Sequence, residues 1–129
     1  VSPIFSASYS GLFKLFFDIV ERDGLAGMPT LLGATGGTAR HSLALDHALR
    51  PLFAYLNAAT VATGVYAATK DWGAGGVAAD GSLVALIDRA AAELATAIVA
   101  RPARAATDSP AADDRLADPV PFEDLFRAQ

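Results

Sequence analysis

Cysteine is absent from all 129 residues of the chain. This absence excludes disulfide bonds, thiolate metal sites and cysteine nucleophiles, and it fits a reducing compartment, so we expect a cytoplasmic protein. Long apolar runs are missing too. No stretch approaches the roughly 20 apolar residues that a spanning helix requires, so we expect no membrane partner. Apolar residues nevertheless make up 53% of the chain, which is enough for a packed core.

Positive charge is scarce and is not gathered into a patch. The chain carries ten lysine and arginine residues against fourteen acidic ones, a formal net charge of −4. Six acidic and two basic residues fall in the range 105–129, so the preceding part, with eight of each sign, is neutral. Without a basic stripe we expect no nucleic-acid partner. An acidic chain can still hold a phosphorylated ligand through backbone N–H groups at a helix N-terminus.

The apolar pattern alternates short continuous runs, typical of buried strands, with longer stretches of helical period. We predict strands over residues 1–5, 28–35 and 60–67. We predict helices over residues 12–22, 39–57 and 82–100. This order favours a parallel sheet with helices on both faces. Since three strands make a small sheet, we expect the chain to be the C-terminal portion of a larger α/β domain.

We divide the chain after residue 102. Residues 1–102 contain the whole strand and helix pattern and are expected to form the α/β portion. Residues 103–129 are rich in alanine, proline and aspartate and show no period, so we predict a flexible tail. A small apolar cluster at residues 122–126 is a candidate for docking on a neighbouring surface.

The first predicted helix has an apolar stripe that we expect to be its buried face. The stripe consists of Leu12, Leu15, Phe16, Ile19 and Val20. Ser8 or Ser10 is its candidate N-cap, because a serine hydroxyl accepts hydrogen bonds from the free amides of a first turn. For the same reason we predict Ser82 as the N-cap of the last helix.

Ligands of open parallel sheets bind beyond the carboxyl ends of the strands, so the turns after the first two strands form the candidate site. The first turn, over residues 3–11, is crowded with small hydroxyl side chains and two aromatic rings. The second turn, over residues 34–41, contains the adjacent glycines Gly36 and Gly37. Such glycines let a planar polar heterocycle approach the main chain closely. Taken alone, the first turn is also explained as a helix cap, and the two glycines are also explained as an ordinary tight turn.

The sequence PIFSASYSGLFK at residues 3–14, followed by LGATGGTARH at residues 32–41, resembles the NAD(P)H-dependent FMN reductase family. The similarity extends through DHALRPL at residues 46–52 to about residue 100, and it indicates the branch that supplies reduced flavin to two-component monooxygenases. The resemblance implies a flavodoxin-like fold, a doubly wound parallel sheet in three α/β/α layers. It also implies FMN at the strand ends and NADPH or NADH as hydride donor. Relatives bind the FMN phosphate in a loop after the first strand of their sheet, and no such loop occurs in this chain.

The resemblance assigns flavin contacts residue by residue. Carried over to the isoalloxazine ring are Pro3, Ile4, Phe5 and Ser6. Carried over to its pyrimidine edge, through backbone groups, are Thr35, Gly36, Gly37 and Thr38. Ser8 and Tyr9 are expected to shape the pocket mouth, and His41 either touches flavin or donates to a backbone carbonyl. Because hydride passes from nicotinamide C4 to flavin N5, we predict no catalytic side chain and no metal site.

The helix predicted over residues 39–57 is apolar on several sides, as a helix at a subunit interface would be. Relatives form dimers that pair into tetramers, so we expect a homodimer or homotetramer. Pro51 should bend this helix, because proline removes a backbone donor. His47 lies where some relatives carry a π-bulge at a subunit contact, and we expect it to be a partly buried packing residue.

Several alternatives stay open. A quinone- or azo-reducing relative that keeps its flavin, and a non-enzymatic electron-transfer module like flavodoxin, share the same fold. Arg40 and Arg50 either pair with a nucleotide phosphate or are solvated or paired with Asp46. Trp72 is either a lid or a surface anchor. Valine at Gly36 or Gly37 is expected to block flavin binding while leaving the fold intact.

Overall fold

The computed structural model describes residues 1–72 and 81–102. The predicted tail with its apolar cluster lies outside the described residues, as do residues 73–80. The strands are β1 (Ser2–Phe5), β2 (Ser8–Tyr9), β3 (Pro29–Thr30), β4 (Gly33–Gly36), β5 (Ala59–Thr60) and β6 (Val65–Ala68). The helices are α1 (Gly11–Asp18), α2 (Arg50–Tyr55) and α3 (Ser82–Ala100), with a π-helical segment at Leu45–Leu49 and 3₁₀ turns at Ala39–His41 and Thr69–Asp71. None of the described helices is both long enough and apolar enough to cross a membrane.

The main sheet has the strand order β2-β1-β4-β6. The pairs β1–β4 and β4–β6 are parallel, whereas β2 folds back antiparallel on β1 as a short hairpin. Strands β3 and β5 pair in parallel as a separate two-stranded sheet. The predicted parallel sheet is therefore confirmed for its three four-residue strands.

The predicted strands 28–35 and 60–67 are each split in two, because their mutual register changes midway. Pro29 pairs with Ala59, an offset of 30 residues, and Gly33 pairs with Val65, an offset of 32. Two extra residues thus bulge from the second chain segment. The N–H group of Thr63, within this bulge, donates to a Glu93 carboxylate oxygen of α3 at 2.8 Å instead of to a strand. The bulge interrupts both predicted strands.

Helices cover both faces of the sheet, as the sequence predicts. On one face a buried cluster joins strands β1 and β4 to the π-helical segment and α2. Its members are Ile4, Leu32, Ala34, Ala44, Leu45, Leu49 and Phe53. On the other face Val65 and Ala67 pack with Leu83 of α3. Since side chains alternate along a strand, this arrangement is a three-layer α/β/α structure.

Helix α1 buries a different face from the one that the sequence predicts. Phe13 and Phe17 pack against the core, with a Phe17–Phe53 ring distance of 4.9 Å. The predicted stripe faces solvent, since Leu12 is 82% exposed and Phe16 is 60% exposed. The helix also ends at Asp18 rather than near residue 22.

The N-cap predictions meet different outcomes. Ser10 caps α1, its hydroxyl accepting from Phe13 N at 3.2 Å, which confirms one of the two candidates. Helix α3 has the predicted bounds, but Gly81 occupies its N-cap with φ of 70°, so Ser82 is its first residue. The prediction of Ser82 as the cap is therefore wrong.

The segment predicted as one helix over residues 39–57 contains three types of helix in succession. A 3₁₀ turn comes first, the π-helical segment follows, and α2 completes it. Arg50 N donates to Leu45 O, five residues back, as in a π-helix. Pro51 lies in the first turn of α2, where a missing donor costs little, so it follows the change in helical type rather than bending a continuous helix. His47 is exposed on the π-helical segment, contrary to the expected partial burial.

Candidate functional site

The two turns singled out in the sequence lie side by side in the fold. Ser2 pairs with Ala34 and Pro3 with Thr35, so β1 and β4 end at the same edge of the sheet. Farther along, Gly36 pairs with Ala68, which brings the end of β6 to this edge as well. The expectation that both turns meet beyond the carboxyl ends of parallel strands is confirmed.

The first turn is a tight two-residue hairpin loop. Phe5 pairs with Ser8 across it, and the intervening Ser6 and Ala7 have φ values of 48° and 66°. Positive φ at both central residues is the type I′ geometry that joins short hairpins. For residues other than glycine this conformation costs about 1–2 kcal/mol each, and such strain is concentrated at ligand sites. The hairpin is thus a strained wall of the candidate site.

The flavin-contact residues carried over to this wall divide between the two faces of the sheet. Pro3 and Phe5 are exposed, and Phe5 is 64% exposed. Ile4 alternates with them and lies in the core at 7% exposure, so only its main chain can face a ligand. Ser6 is exposed, and Tyr9 is half-buried against the core cluster.

A buried serine missed by the sequence analysis joins the two ends of the hairpin. The Ser2 hydroxyl accepts from Ser10 N at 3.2 Å and donates to Pro3 O at 2.9 Å. Ser2 is fully buried. The sequence pointed to Ser2 only indirectly. A serine inside a predicted buried strand needs hydrogen-bond partners, but the sequence does not say which groups they are.

The two glycines of the second turn do different things. A Cβ atom on Gly36 would lie 2.2 Å from the Tyr66 hydroxyl oxygen, so Gly36 makes room for Tyr66. That hydroxyl donates to Thr38 O at 2.8 Å and holds the turn against β6. A Cβ atom on Gly37 would meet nothing within 4 Å. Gly37 is therefore the glycine whose main chain is open to an approaching molecule, whereas valine at Gly36 would require the Tyr66 side chain to move.

The remaining second-turn residues lie at the same edge. Thr38 is half-buried, and its hydroxyl accepts from Arg40 N at 3.3 Å. Thr35, paired with Pro3, lies on the α3 side of β4. His41 is exposed in the 3₁₀ turn, and its backbone N–H donates to Thr38 O at 3.3 Å.

Arg50 has a structural role rather than a ligand-binding one. Its guanidinium forms an ion pair with Asp46 at 2.9 Å. It also donates to the Thr60 hydroxyl at 3.2 Å and to the carbonyls of Val61 and Ala62, both at 3.1 Å. These bonds fix the bulge between β5 and β6, which is far from the two turns in the strand direction.

Trp72 is half-exposed and lines a groove of about 290 Å³ on the α3 side of the sheet. Leu83 and Ile87 of α3 form one wall of this groove, and Val1 and Thr35 lie opposite. Through Thr35, the groove reaches the strand end that carries the second turn.

Among the described residues, Glu93 and Lys14 have shifted pKa values, and both shifts arise from structural contacts. The Thr63 hydroxyl and N–H donate to Glu93 and hold the pKa of that carboxyl below its ordinary 4.5. The hydrogen bond to Asp18 raises the pKa of Lys14 above its ordinary 10.5. In the part of the chain that the structure describes, no three metal-ligating side chains cluster together. The two turns thus offer main-chain groups, aromatic surface and hydroxyls, which suit binding and orienting a flat heterocycle.

A family model described as NADPH-dependent FMN reductase matches residues 1–73, which include every residue carried over to the flavin site. An NADH-dependent FMN reductase, SfnF, from Pseudomonas putida is 52% identical over 69 residues, 54% of this chain and 37% of the relative. An FMN reductase (NADPH) from Pseudomonas aeruginosa is 51% identical over 71 residues, 55% of this chain and 38% of the relative. The chain thus spans little more than a third of these relatives' length.

Two solved structures are similar in fold. An oxidoreductase from Corynebacterium diphtheriae is 53% identical, with a TM-score of 0.71 over 78% of this chain and 54% of its own. The apo form of an NADH:FMN oxidoreductase, EmoB, is 29% identical, with a TM-score of 0.62 over 80% of this chain and 52% of its own. These likenesses confirm the expected α/β fold class.

Proposed function

Because the chain belongs to the NADPH-dependent FMN reductase family, we propose that it carries the flavin-binding edge of an enzyme that transfers hydride from NADPH or NADH to FMN. The observation that carries this proposal is the meeting of two unlike turns at one sheet edge. One is a strained hairpin with exposed aromatic surface, and the other is an open main chain at Gly37.

In this proposal the chain binds and orients. Bound FMN would supply the hydride-accepting chemistry, and the protein contributes alignment and exclusion of water. Pro3 and Phe5 cover one side of the ring system, whereas Gly37 and Thr38 meet its polar edge through backbone groups. The Tyr66–Thr38 hydrogen bond keeps that edge in place. No described side chain is assigned a proton transfer.

We further propose that reduced FMN leaves the protein and reaches a partner monooxygenase. The exposure of the hairpin supports ready exchange of flavin. A quinone- or azo-reducing relative would instead keep its flavin and be purified yellow. The absence of cysteine supports a cytoplasmic location.

A homodimer or homotetramer is also part of the proposal. Helix α1 exposes Leu12, Leu15 and Phe16 along one face, and Ile19 follows at 82% exposure. Isolated exposed leucines are normal, but a contiguous apolar helix face is typical of an interface. The exposed residues of the π-helical segment, Asp46 and His47, provide a second candidate contact.

The direct test is NADPH and NADH oxidation by the full-length protein, measured by nicotinamide absorbance with and without excess FMN. We expect oxidation that saturates with FMN. Riboflavin-free buffer and heat-denatured protein serve as controls. Failure to oxidise either nucleotide, combined with tight flavin binding, would favour the electron-transfer module instead.

A further inference from the structure

Two 3₁₀ turns emerge side by side at the edge of the sheet that carries the candidate site. Gly36 and Ala68 pair at the ends of β4 and β6. The turn Ala39–His41 follows β4, and the turn Thr69–Asp71 directly follows β6. The topology therefore brings these two turns to the same sheet edge as the flavin-binding turns.

Each of the two turns carries one exposed cation, Arg40 on the first and Lys70 on the second. Within residues 1–72 and 81–102, neither side chain forms an ion pair or a hydrogen bond. By contrast, Lys14 pairs with Asp18 and Arg50 with Asp46. Arg40 and Lys70 are thus available for an anionic ligand.

The main chain beneath both cations is fixed. The Thr38 hydroxyl accepts from Arg40 N at 3.3 Å, and Thr38 O is held by the Tyr66 hydroxyl at 2.8 Å. On the second turn, the Asp71 carboxylate accepts from Ala68 N at 2.8 Å. Asp71 is the acid adjacent to Lys70 in sequence, and this bond commits one of its oxygens to the main chain. Both cationic side chains therefore extend from ordered attachment points.

The charge of this edge is opposite in sign to that of the chain. Arg40 and Lys70 outnumber Asp71 on the two turns, whereas the whole chain has a formal net charge of −4. Guanidinium and ammonium groups form charge-assisted hydrogen bonds with phosphate oxygens, and a phosphate monoester carries close to two negative charges. A local excess of positive charge on an acidic protein also attracts anionic ligands to that edge.

We propose that Arg40 and Lys70 form a cationic rim that binds the phosphate monoester on the adenosine ribose of NADPH. The inference rests on the proposed function, because NADPH is one of the two hydride donors of that reaction. NADH is the matching ligand that lacks this group. FMN and riboflavin, which differ by a phosphate at the end of the ribityl chain, form the comparison pair.

The test measures four ligands against variants of the full-length protein. Binding of FMN and riboflavin is titrated by flavin fluorescence, and KM is measured for NADPH and NADH. Arg40→Gln and Lys70→Gln should each raise the KM for NADPH about 10-fold, the lower range for a charge-assisted bond at an exposed site. The KM for NADH and the affinities for FMN and riboflavin should change less than about 2-fold. Arg40→Lys, which keeps the charge, should restore most of the loss.

Arg89→Gln is the matched control, because it removes the same charge from α3. Arg89 lines a groove with Val61 and Ala62, which precede β6 rather than follow it. Loss of discrimination between NADPH and NADH supports the rim as the site of the adenosine ribose phosphate. Loss of discrimination between FMN and riboflavin instead would overturn this assignment.

The rim and the proposed function fail in different ways. If the wild-type protein reduces FMN but both glutamine variants treat all four ligands as it does, the rim is refuted and the activity stands. Equal losses in Arg89→Gln would also refute the rim, since they indicate a general charge effect. If the wild-type protein binds neither flavin nor nicotinamide nucleotide, the proposed function is refuted.

Discussion

Substitution of the two adjacent glycines should separate flavin binding from stability. A Cβ atom on Gly37 meets nothing within 4 Å, and its φ lies outside the left-handed range, so Gly37→Val should leave the free energy of unfolding within about 0.5 kcal/mol of wild type. The added methyl groups occupy the space through which a ligand approaches the main chain. Overpacking of this kind costs about 1–3 kcal/mol, so flavin affinity should fall roughly 10- to 100-fold.

Gly36→Ala should give the opposite result. Its Cβ would lie 2.2 Å from the Tyr66 hydroxyl oxygen, so the ring must move and its hydrogen bond to Thr38 is lost. Overpacking of about 1–3 kcal/mol and a lost hydrogen bond of about 1 kcal/mol predict a destabilisation of roughly 2–4 kcal/mol.

Urea denaturation and FMN fluorescence titration of both variants in the full-length protein measure the two effects. Gly37→Ala is a graded control, since a single methyl group should weaken binding less than valine does. Wild-type flavin affinity in Gly37→Val would refute the assignment of this main chain to the flavin edge. Wild-type stability in Gly36→Ala would refute the role given to Tyr66.

Three further predictions concern contacts outside the flavin edge. Glu93→Gln should lower Tm at neutral pH, because it removes the carboxylate that accepts from Thr63. The pKa of Glu93 is held below 4.5, so the stabilisation by this carboxylate is complete above pH 4.5 and is lost as the pH falls through the lowered pKa. The Tm difference should therefore shrink as the pH falls well below 4.5, and a pH-independent difference would contradict this account. Tyr66→Phe should reduce the free energy of unfolding in urea by about 1 kcal/mol through loss of its 2.8 Å bond, and an unchanged value would contradict it. Phe16→Asp should reduce the mass measured by light scattering to that of a monomer. Val99→Asp, at an 86% exposed position of α3, is the control and should leave the mass unchanged. An unchanged mass in Phe16→Asp would exclude α1 as the interface.

The order of elements and the location of the candidate site could be predicted from the sequence. Apolar runs and helical periods are local properties, so the first strand and α3 appear with nearly their predicted bounds. The Ser10 cap is local too, because its hydroxyl bonds an amide three residues ahead. Once two strands are parallel, their carboxyl ends share an edge, so the meeting of the two turns follows from the strand order.

The sequence does not decide which of two apolar faces of a helix is buried. Helix α1 carries two apolar stripes, and only the presence of Phe53 on a distant helix makes Phe13 and Phe17 the buried pair. The exposed stripe with Phe16 has the same helical period. A single sequence does not reveal which stripe meets the core.

What the sequence determined by itself is the succession of strands, turns and helices, since each is encoded by neighbours a few residues apart. Tertiary structure decided which glycine is open, because Tyr66 reaches Thr38 across 28 residues and fills the space beside Gly36. It also decided where the long strands break, because Glu93 captures Thr63 from 30 residues away. Both outcomes depend on contacts between side chains and main chain that only the assembled fold brings within hydrogen-bonding distance.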